Sequence, residues 1–344
     1  MSAFEIRAAT TADEDGLFHL AQHLNTVNLP ADRTAIRHLL TTSEQSFSEA
    51  IADPRRREYV FAIVDTTCNR IVGTSMILAQ LGRRDAPYIY LDVIDEERYS
   101  ATLDRHFKHT TLSIGYSYDG PTELGGLIVL PEYRQRLDKV GLLISYVRFL
   151  FIKMRRGLFR DKLLAELLPP LEPDGRSHLW DALGYHFTGL TYQEADRLSR
   201  RNKEFIRGLF PEGTFYASLL TPKAQAVIGK VGAQTRGVEK MLKRIGFRYA
   251  ERVDPFDGGP HFTAPTDEVT LVIRAHERTL LTNDETLRGA GSALVAVSTD
   301  EAPFFRALHV PFAPDGDDGM HVSSAAMTRL SASSGDRVWV LPVD

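Results

Sequence analysis

The sequence predicts an α/β (α+β) chain that ends in a small, mainly β appendage, and three observations point there. A short apolar run rich in β-formers at residues 124–130 leads through a basic loop into an apolar helix at Val140-Gly141-Leu142-Leu143. Strand-like and helix-like stretches alternate from the first residues to about Pro265. Beyond Pro265 the text changes to short strand-like runs at 269–274, 293–297 and 338–343, interrupted by the loop at 313–319.

In chain order, residues 4–9 read as a strand, followed by Thr10 or Thr11 as a helix cap and by Leu17, Leu20 and Ala21 at helical spacing. Two antiparallel strands follow at 59–65 and 71–79, joined by the turn Thr66-Thr67-Cys68-Asn69. The run at 124–130 is weakened by Gly125 and Gly126, which predicts a bulge or a close backbone approach. Pro131 stops it, and Arg134, Gln135, Arg136, Asp138 and Lys139 form a polar loop. The helix that follows aims unpaired N–H donors and the positive end of its dipole at this loop, an arrangement suited to a pyrophosphate. A strand at about 162–168 and a helix ending in the LWDALGYHF segment at 179–187 come next. That segment and residues 241–249 share a helix, a glycine stop and an aromatic strand start. Two half-folds, about 1–190 and 191–265, or two independent helix ends are both open readings of the echo. Asp315, Asp317 and Asp318 read as a solvated turn rather than a calcium loop, because the terminal Glu of that pattern is lacking.

Length and composition set bounds. With 344 residues, two domains are expected, divided as 1–265 and 266–344. A net charge of −4 argues against a nucleic-acid surface, and the basic clusters at 55–57 and 200–203 read as solvated faces. The single cysteine, Cys68, excludes an intrachain disulfide and a cysteine-based metal cluster. Residues 1–10 lack a signal-peptide pattern, and no apolar run reaches the ~18 residues that span a bilayer. A cytoplasmic protein with no membrane partner is expected.

The order of elements, from the opening I-R-x-A-T-x-x-D to the L-G-Y-x-F turn, resembles the GNAT superfamily of acyl-CoA N-acyltransferases. A closer resemblance is carried by NLPADR (28–33), GTSMI (73–77), ELxxL (123–127), VRFLFI (147–152), LWDALGYHF, EADRL (194–198), FIRGLFP (205–211), AQAVIGKV (224–231), IGFRY (245–249) and FDGGP (256–260). In this order the set resembles the arginine N-succinyltransferase family over roughly residues 1–265. The resemblance implies an elaborated GNAT fold with a mixed central sheet. It also implies transfer of a succinyl or other acyl group from CoA to the α-amino group of arginine or a related amino acid.

Three positions depart from the family pattern. The family's proposed catalytic histidine is replaced by Gly232, and its A-E-M-R-G run reads Ala165-Glu166-Leu167-Leu168-Pro169. In the pyrophosphate loop, Arg136-Leu137-Asp138-Lys139-Val140-Gly141 puts Lys139 where a middle glycine is favoured. A catalytically impaired relative that binds CoA or arginine as a sensor is therefore the alternative reading.

N-acyl transfer needs a base for the amine, a donor for the developing oxyanion and a proton for the leaving thiolate. Glu123 is the first candidate base and Glu166 the second, with His186 as a candidate acid. The resemblance places the acyl-CoA contact on Leu127, whose backbone N–H also suits the oxyanion. Arg136, Lys139, Val140 and Gly141 are the expected cofactor-binding residues, and Asp254 and Asp257 are expected to hold a guanidinium or ammonium group. No metal and no permanently bound cofactor are expected; acyl-CoA, with succinyl-CoA foremost, is a co-substrate. The expected partners are small molecules, with a homo-oligomer an open possibility.

Overall fold

The computed structural model describes residues 3–23, 29–84, 86–134, 136–199, 202–282, 287 and 291–343. Asn28 of the NLPADR segment, Gln135 of the polar loop and residues 200 and 201 of the second basic cluster lie outside them. Two compact units interleave along the chain. The first comprises residues 1–79, 122–161 and 266–344, and the second residues 80–121 and 162–265. The expected boundary near 265 is thus where the chain re-enters the first unit, and residues 266–344 belong to the same unit as the N-terminal strands.

In the first unit, β1 (Phe4–Ala8), β2 (Glu58–Asp65), β3 (Arg70–Leu78) and β6 (Thr122–Val129) pair antiparallel in that order. Helices α1 (Glu14–Ala21), α2 (Arg33–Phe47) and α3 (Val140–Met154) belong to the same unit. Asp32 caps α2 by accepting from the Ala35 N–H at 2.8 Å. Helix α3 is buried nearly all round, which is why its residues show no polar stripe. Phe47, Phe61, Phe151 and Phe305 meet edge-on or tilted at 5.3–5.4 Å along several of their ring pairs, an aromatic core drawn from all three parts of this unit.

The C-terminal strands β11 (His276–Thr282), β12 (Gly291–Ser298), β13 (Phe305–Asp315), β14 (Gly319–Val322) and β15 (Arg337–Pro342) form a closed ring of pairings, β12-β15-β11-β14-β13-β12. Alternating residues such as Ala293, Val295, Leu308, Val338 and Val340 fill it, together with Met327 and Leu330 of α11 (Ser324–Leu330). The strand-rich appendage is therefore a small barrel, tied to β1 through β13 at Ile6↔Ala307. One expected strand is not there: residues 270–274 form helix α10 (Thr270–Arg274). An apolar run this short has no usable periodicity, and Leu271 and Val272 are buried in either conformation. The aspartate loop is shorter than expected, since β13 runs on to Asp315, and Asp318 pairs with Arg337.

In the second unit, β7 (Lys162–Glu166), β10 (Pro260–Pro265), β9 (Arg248–Val253), β4 (Tyr88–Ser100), β5 (Arg105–Ser117) and β8 (Thr214–Tyr216) form an antiparallel series. The β4–β5 hairpin of two 13-residue strands has no counterpart in the sequence reading. Its outer half is exposed and largely charged, without the apolar alternation that marks a half-buried strand, and it carries ion pairs between the strands such as Asp95 with Lys108 at 2.8 Å. The helices here are α4 (His178–Ala182), α5 (Gly184–Thr188), α6 (Tyr192–Ser199), α7 (Glu204–Leu209), α8 (Pro222–Val227) and α9 (Arg236–Arg244).

The LWDALGYHF segment also differs from expectation, because Gly184 opens α5 instead of ending a helix before a strand. A Cβ on Gly184 would lie 2.4 Å from the Trp180 ring, so the glycine serves close packing, and the left-handed stop is Gly189 at φ 67°. Trp180 is fully buried, stacks on Phe256 at 4.8 Å and donates from Nε1 to the Leu190 carbonyl. The second copy of the echo is as expected, with α9 ending before Gly246 at φ 111° and β9 following. The internal echo therefore stops at the level of sequence.

Candidate active site

In the first unit, Glu123 and Leu127 lie on β6, whose pairing with β3 slips between Met76↔Gly125 and Thr74↔Ile128. Gly126 and Leu127 thus oppose Ser75 alone, a bulge of two residues against one. Gly126 has φ 56°, and a Cβ there would lie 2.6 Å from Met76 Sδ, so only glycine fits. The bulge is tied to α3 by Arg148, whose guanidinium donates to Ser145 Oγ at 2.8 Å and to the Gly125 carbonyl at 3.4 Å. Burial of Arg148 lowers its pKa to about 9. Glu123 is 6% exposed on the same strand.

The loop before α3 carries Arg136, whose Nε donates to Asp138 at 3.2 Å and whose guanidinium lies 5.1 Å over the Tyr133 ring. Lys139 is the N-cap of α3 at φ 52°, a left-handed conformation that explains why the family pattern favours glycine there. A Cβ on Gly141 would meet nothing nearer than Val129 Cγ2 at 3.8 Å, so internal packing does not require this glycine.

In the second unit, β7 and β10 pair in the register His261↔Glu166, which puts both side chains on one face. The hairpin turn between β9 and β10 brings Asp254 alongside. Glu166, Asp254 and His261 each offer an atom within 4.8 Å of the others, graded from exposed Glu166 to fully buried His261. Tyr88 of β4 meets His261 Nδ1 at 2.6 Å, and Glu166 Oε1 lies 3.5 Å from Nε2. Burial, with repulsion from Arg252 and Lys203, depresses the His261 pKa to about 3, so the ring is neutral at physiological pH. Burial also pushes the Tyr88 phenol far up, keeping its proton on.

The two aspartates of the turn part company. Asp254 Oδ1 accepts from the Phe256 and Asp257 N–H groups at 2.7 and 3.2 Å, while its carboxyl remains part of the Glu166 cluster. Asp257 accepts from the Gly259 N–H at 2.7 Å, is 7% exposed and interacts with Tyr192. Burial raises both pKa values, and mutual repulsion adds to it for Asp257. Asp257 is therefore placed as a turn-forming acid, whereas Asp254 joins the cluster. A raised folded-state pKa gives stability that is full below the unfolded value of about 3.8 and is lost as pH rises through the folded value. Asp257→Asn removes this loss, so its Tm relative to the parent is expected to be higher at pH 8 than at pH 5. Equal offsets at both pH values would show that Asp257 does not retain its proton.

His186 is exposed on α5 with its ring 6.1 Å from Tyr185, and it takes no part in the Glu166 cluster. The residues missed by sequence reasoning are His261 and Tyr88. His261 stands directly after the FDGGP segment and has no local signature; Tyr88 lies in the unread hairpin.

The two departures at Gly232 and the AELLP run prove to be one structural event. Gly232 N–H donates to the Leu168 carbonyl at 2.8 Å, and a Cβ on Gly232 would lie 2.7 Å from the Pro169 carbonyl oxygen. Without a side chain at 232, residues 168–169 approach its backbone directly. Gly232→His is accordingly expected to destabilise the protein by about 1–3 kcal/mol through overpacking, without raising turnover. Thermal unfolding and a thiol-release assay check this, and increased turnover with unchanged Tm would refute it.

The profile of the arginine N-succinyltransferase beta subunit matches residues 4–271. Arginine N-succinyltransferase subunit beta of Pseudomonas aeruginosa is 34% identical over 278 residues, 80% of each chain. Arginine N-succinyltransferase of Yersinia pestis is 30% identical over 350 aligned positions, covering 98% of this chain and 97% of its own. The solved structure of arginine/ornithine succinyltransferase subunit AI from Pseudomonas aeruginosa superposes with a TM-score of 0.83 at 25% identity, covering 99% of both chains. Among the described residues, no helix is long and apolar enough to cross a membrane. A bulged strand leading into a buried helix, an acidic cluster on a neutral histidine and this similarity along the whole chain agree: the chain belongs to the arginine N-succinyltransferase family and is an acyl-CoA-dependent N-acyltransferase.

Proposed function

We propose that the protein transfers a succinyl group from succinyl-CoA to the α-amino group of arginine, or of ornithine as the related acceptor. The observation that carries this reading is the Glu166–Asp254 pair of acids beside a neutral His261, a cluster exposed at Glu166. An amino acid with a second cationic group suits it through charge-assisted hydrogen bonds. Glu166 takes one proton from the α-ammonium, and the freed amine attacks the thioester carbonyl. The Leu127 N–H, presented by the bulge of the first unit, is the proposed contact for the acyl-CoA. Collapse forms the amide and expels CoA thiolate, which takes up one proton while the new amide nitrogen sheds another. Arg136, Lys139 and the α3 N-terminus at Val140–Gly141 bind the CoA pyrophosphate, for which Gly141 leaves room. CoA as co-substrate supports a cytoplasmic reaction.

A thiol-release assay pairing succinyl-CoA and acetyl-CoA with arginine and ornithine tests the reading. The expected result is highest kcat/KM for succinyl-CoA with arginine, with N-succinylarginine identified by mass. Absence of thiol release from every pair, despite CoA binding in calorimetry, would instead identify a sensor.

A further inference from the structure

The cluster contains a feature that acceptor binding alone does not require. His261 is fully buried in a ladder position, yet both of its ring nitrogens face groups of defined chemistry. Nδ1 lies 2.6 Å from Tyr88 Oη, and Nε2 lies 3.5 Å from Glu166 Oε1 with no hydrogen bond formed at that length. One proton must be shared between the two nitrogens of a neutral imidazole. If Nδ1 carried it, the Nε2 lone pair would face the Glu166 carboxylate and the two would repel. If Nε2 carries it, the Tyr88 hydroxyl donates to Nδ1 and Nε2–H points its positive end at the carboxylate. Both contacts are then favourable.

We propose that Tyr88 and His261 form a positioning relay, in which the Tyr88 hydroxyl fixes His261 as the Nε2–H tautomer and Nε2–H holds the Glu166 carboxylate in orientation for the acceptor amine. The proposal rests on the reading of Glu166 as base. His261 is a positioning residue here, and its neutral state makes it a permanent donor. The surrounding groups agree with that state: Arg252 and Lys203 oppose an imidazolium, while Arg252 is itself held by Asp92 at 2.8 Å and stacked 3.8 Å over Tyr90. Asp254 and Glu166 are the acids that face the ring, and Tyr88 is the phenol. The 3.5 Å gap to Glu166 is long for a hydrogen bond, and such contacts commonly tighten once substrate binds.

The test has two independent readouts on the full-length protein. The first is the tautomer of His261 from long-range ¹H–¹⁵N spectra, with the signal assigned by its loss in His261→Gln. The proton is expected on Nε2 from pH 6 to 8 in the parent and on a mixture of nitrogens in Tyr88→Phe. A proton on Nδ1, or an imidazolium in this range, would overturn the relay whether or not the protein turns over substrate. The second is kcat/KM for the acceptor against pH. His261→Asn keeps an acceptor near Tyr88 but loses the donor to Glu166. Its acidic limb should move to higher pH and its activity should fall at least about tenfold, less than the 10²–10⁴-fold typical of removing a general base. His261→Gln, which retains a donor near the Nε2 position, should recover part of the loss. A His261→Asn profile superimposable on that of the parent sinks the idea, as does equal loss in the Asn and Gln variants matched by equal loss of Tm. If His261→Asn does not fold, the tautomer in the parent and in Tyr88→Phe decides. A parent that shows the Nε2–H tautomer but releases no thiol keeps the relay and removes the catalytic reading.

Discussion

Glu166→Gln should lower kcat/KM for the acceptor by about 10²–10⁴-fold, equivalent to roughly 3–5 kcal/mol in the barrier. Glutamine preserves the volume and can still accept from His261, but it cannot take the proton of the α-ammonium. It also removes one of the two acids that attract a cationic acceptor, so acceptor KM should rise as well. The KM for acyl-CoA should stay at the parental value, because the proposed CoA contacts are all on other residues. Steady-state kinetics with arginine varied at saturating succinyl-CoA, between pH 6 and pH 9, makes the measurement. Parental kcat/KM in Glu166→Gln would return the role of base to Glu123, the other strand carboxylate. Glu123→Gln is the comparison variant. Glu123 is 6% exposed within β6, so its substitution is expected to lower Tm before it changes the pH profile.

Arg136→Ala combined with Lys139→Ala should weaken CoA binding by about 2–6 kcal/mol, each lost charge-assisted hydrogen bond costing about 1–3 kcal/mol. Arg136 stays near the helix terminus through Asp138 and the Tyr133 ring, at 3.2 and 5.1 Å. Lys139 separates charge from backbone geometry. Its φ of 52° is strained for a residue with a Cβ, so Lys139→Gly relieves strain of about 1 kcal/mol while removing the charge. Lys139→Gly is therefore expected to raise Tm and lower CoA affinity at the same time. Calorimetry with CoA at two salt concentrations reads the charge contribution, which should shrink at high salt. Affinity unchanged in the double variant would remove this loop from the CoA site.

How legible each site was depended on whether its parts are neighbours in sequence. The bulge, the stop at Pro131, the loop cations and the start of α3 lie within about twenty consecutive residues, and local rules for glycine, proline and helix ends act at that range. The Glu166 cluster draws Tyr88, Glu166, Asp254 and His261 from three chain segments up to 173 positions apart. Only the strand register His261↔Glu166 and the β9–β10 turn bring them together. The local misreadings have equally specific causes. Residues 270–274 were too few for periodicity to separate helix from strand, and Gly184 looked like a helix stop although the Trp180 ring is what excludes a side chain there.

By itself the sequence determined the α/β class, the strand, loop and helix that suit CoA, the strand-rich end and the family, because each rests on local chemistry or on the order of motifs along the chain. Only the tertiary structure decided that residues 266–344 close into a barrel within the first unit, that Gly232 and Leu168–Pro169 are one contact, and that Asp254 rather than Asp257 joins Glu166. Those facts depend on strand register and on close approach between segments distant in sequence. No periodicity or spacing within a single segment encodes either.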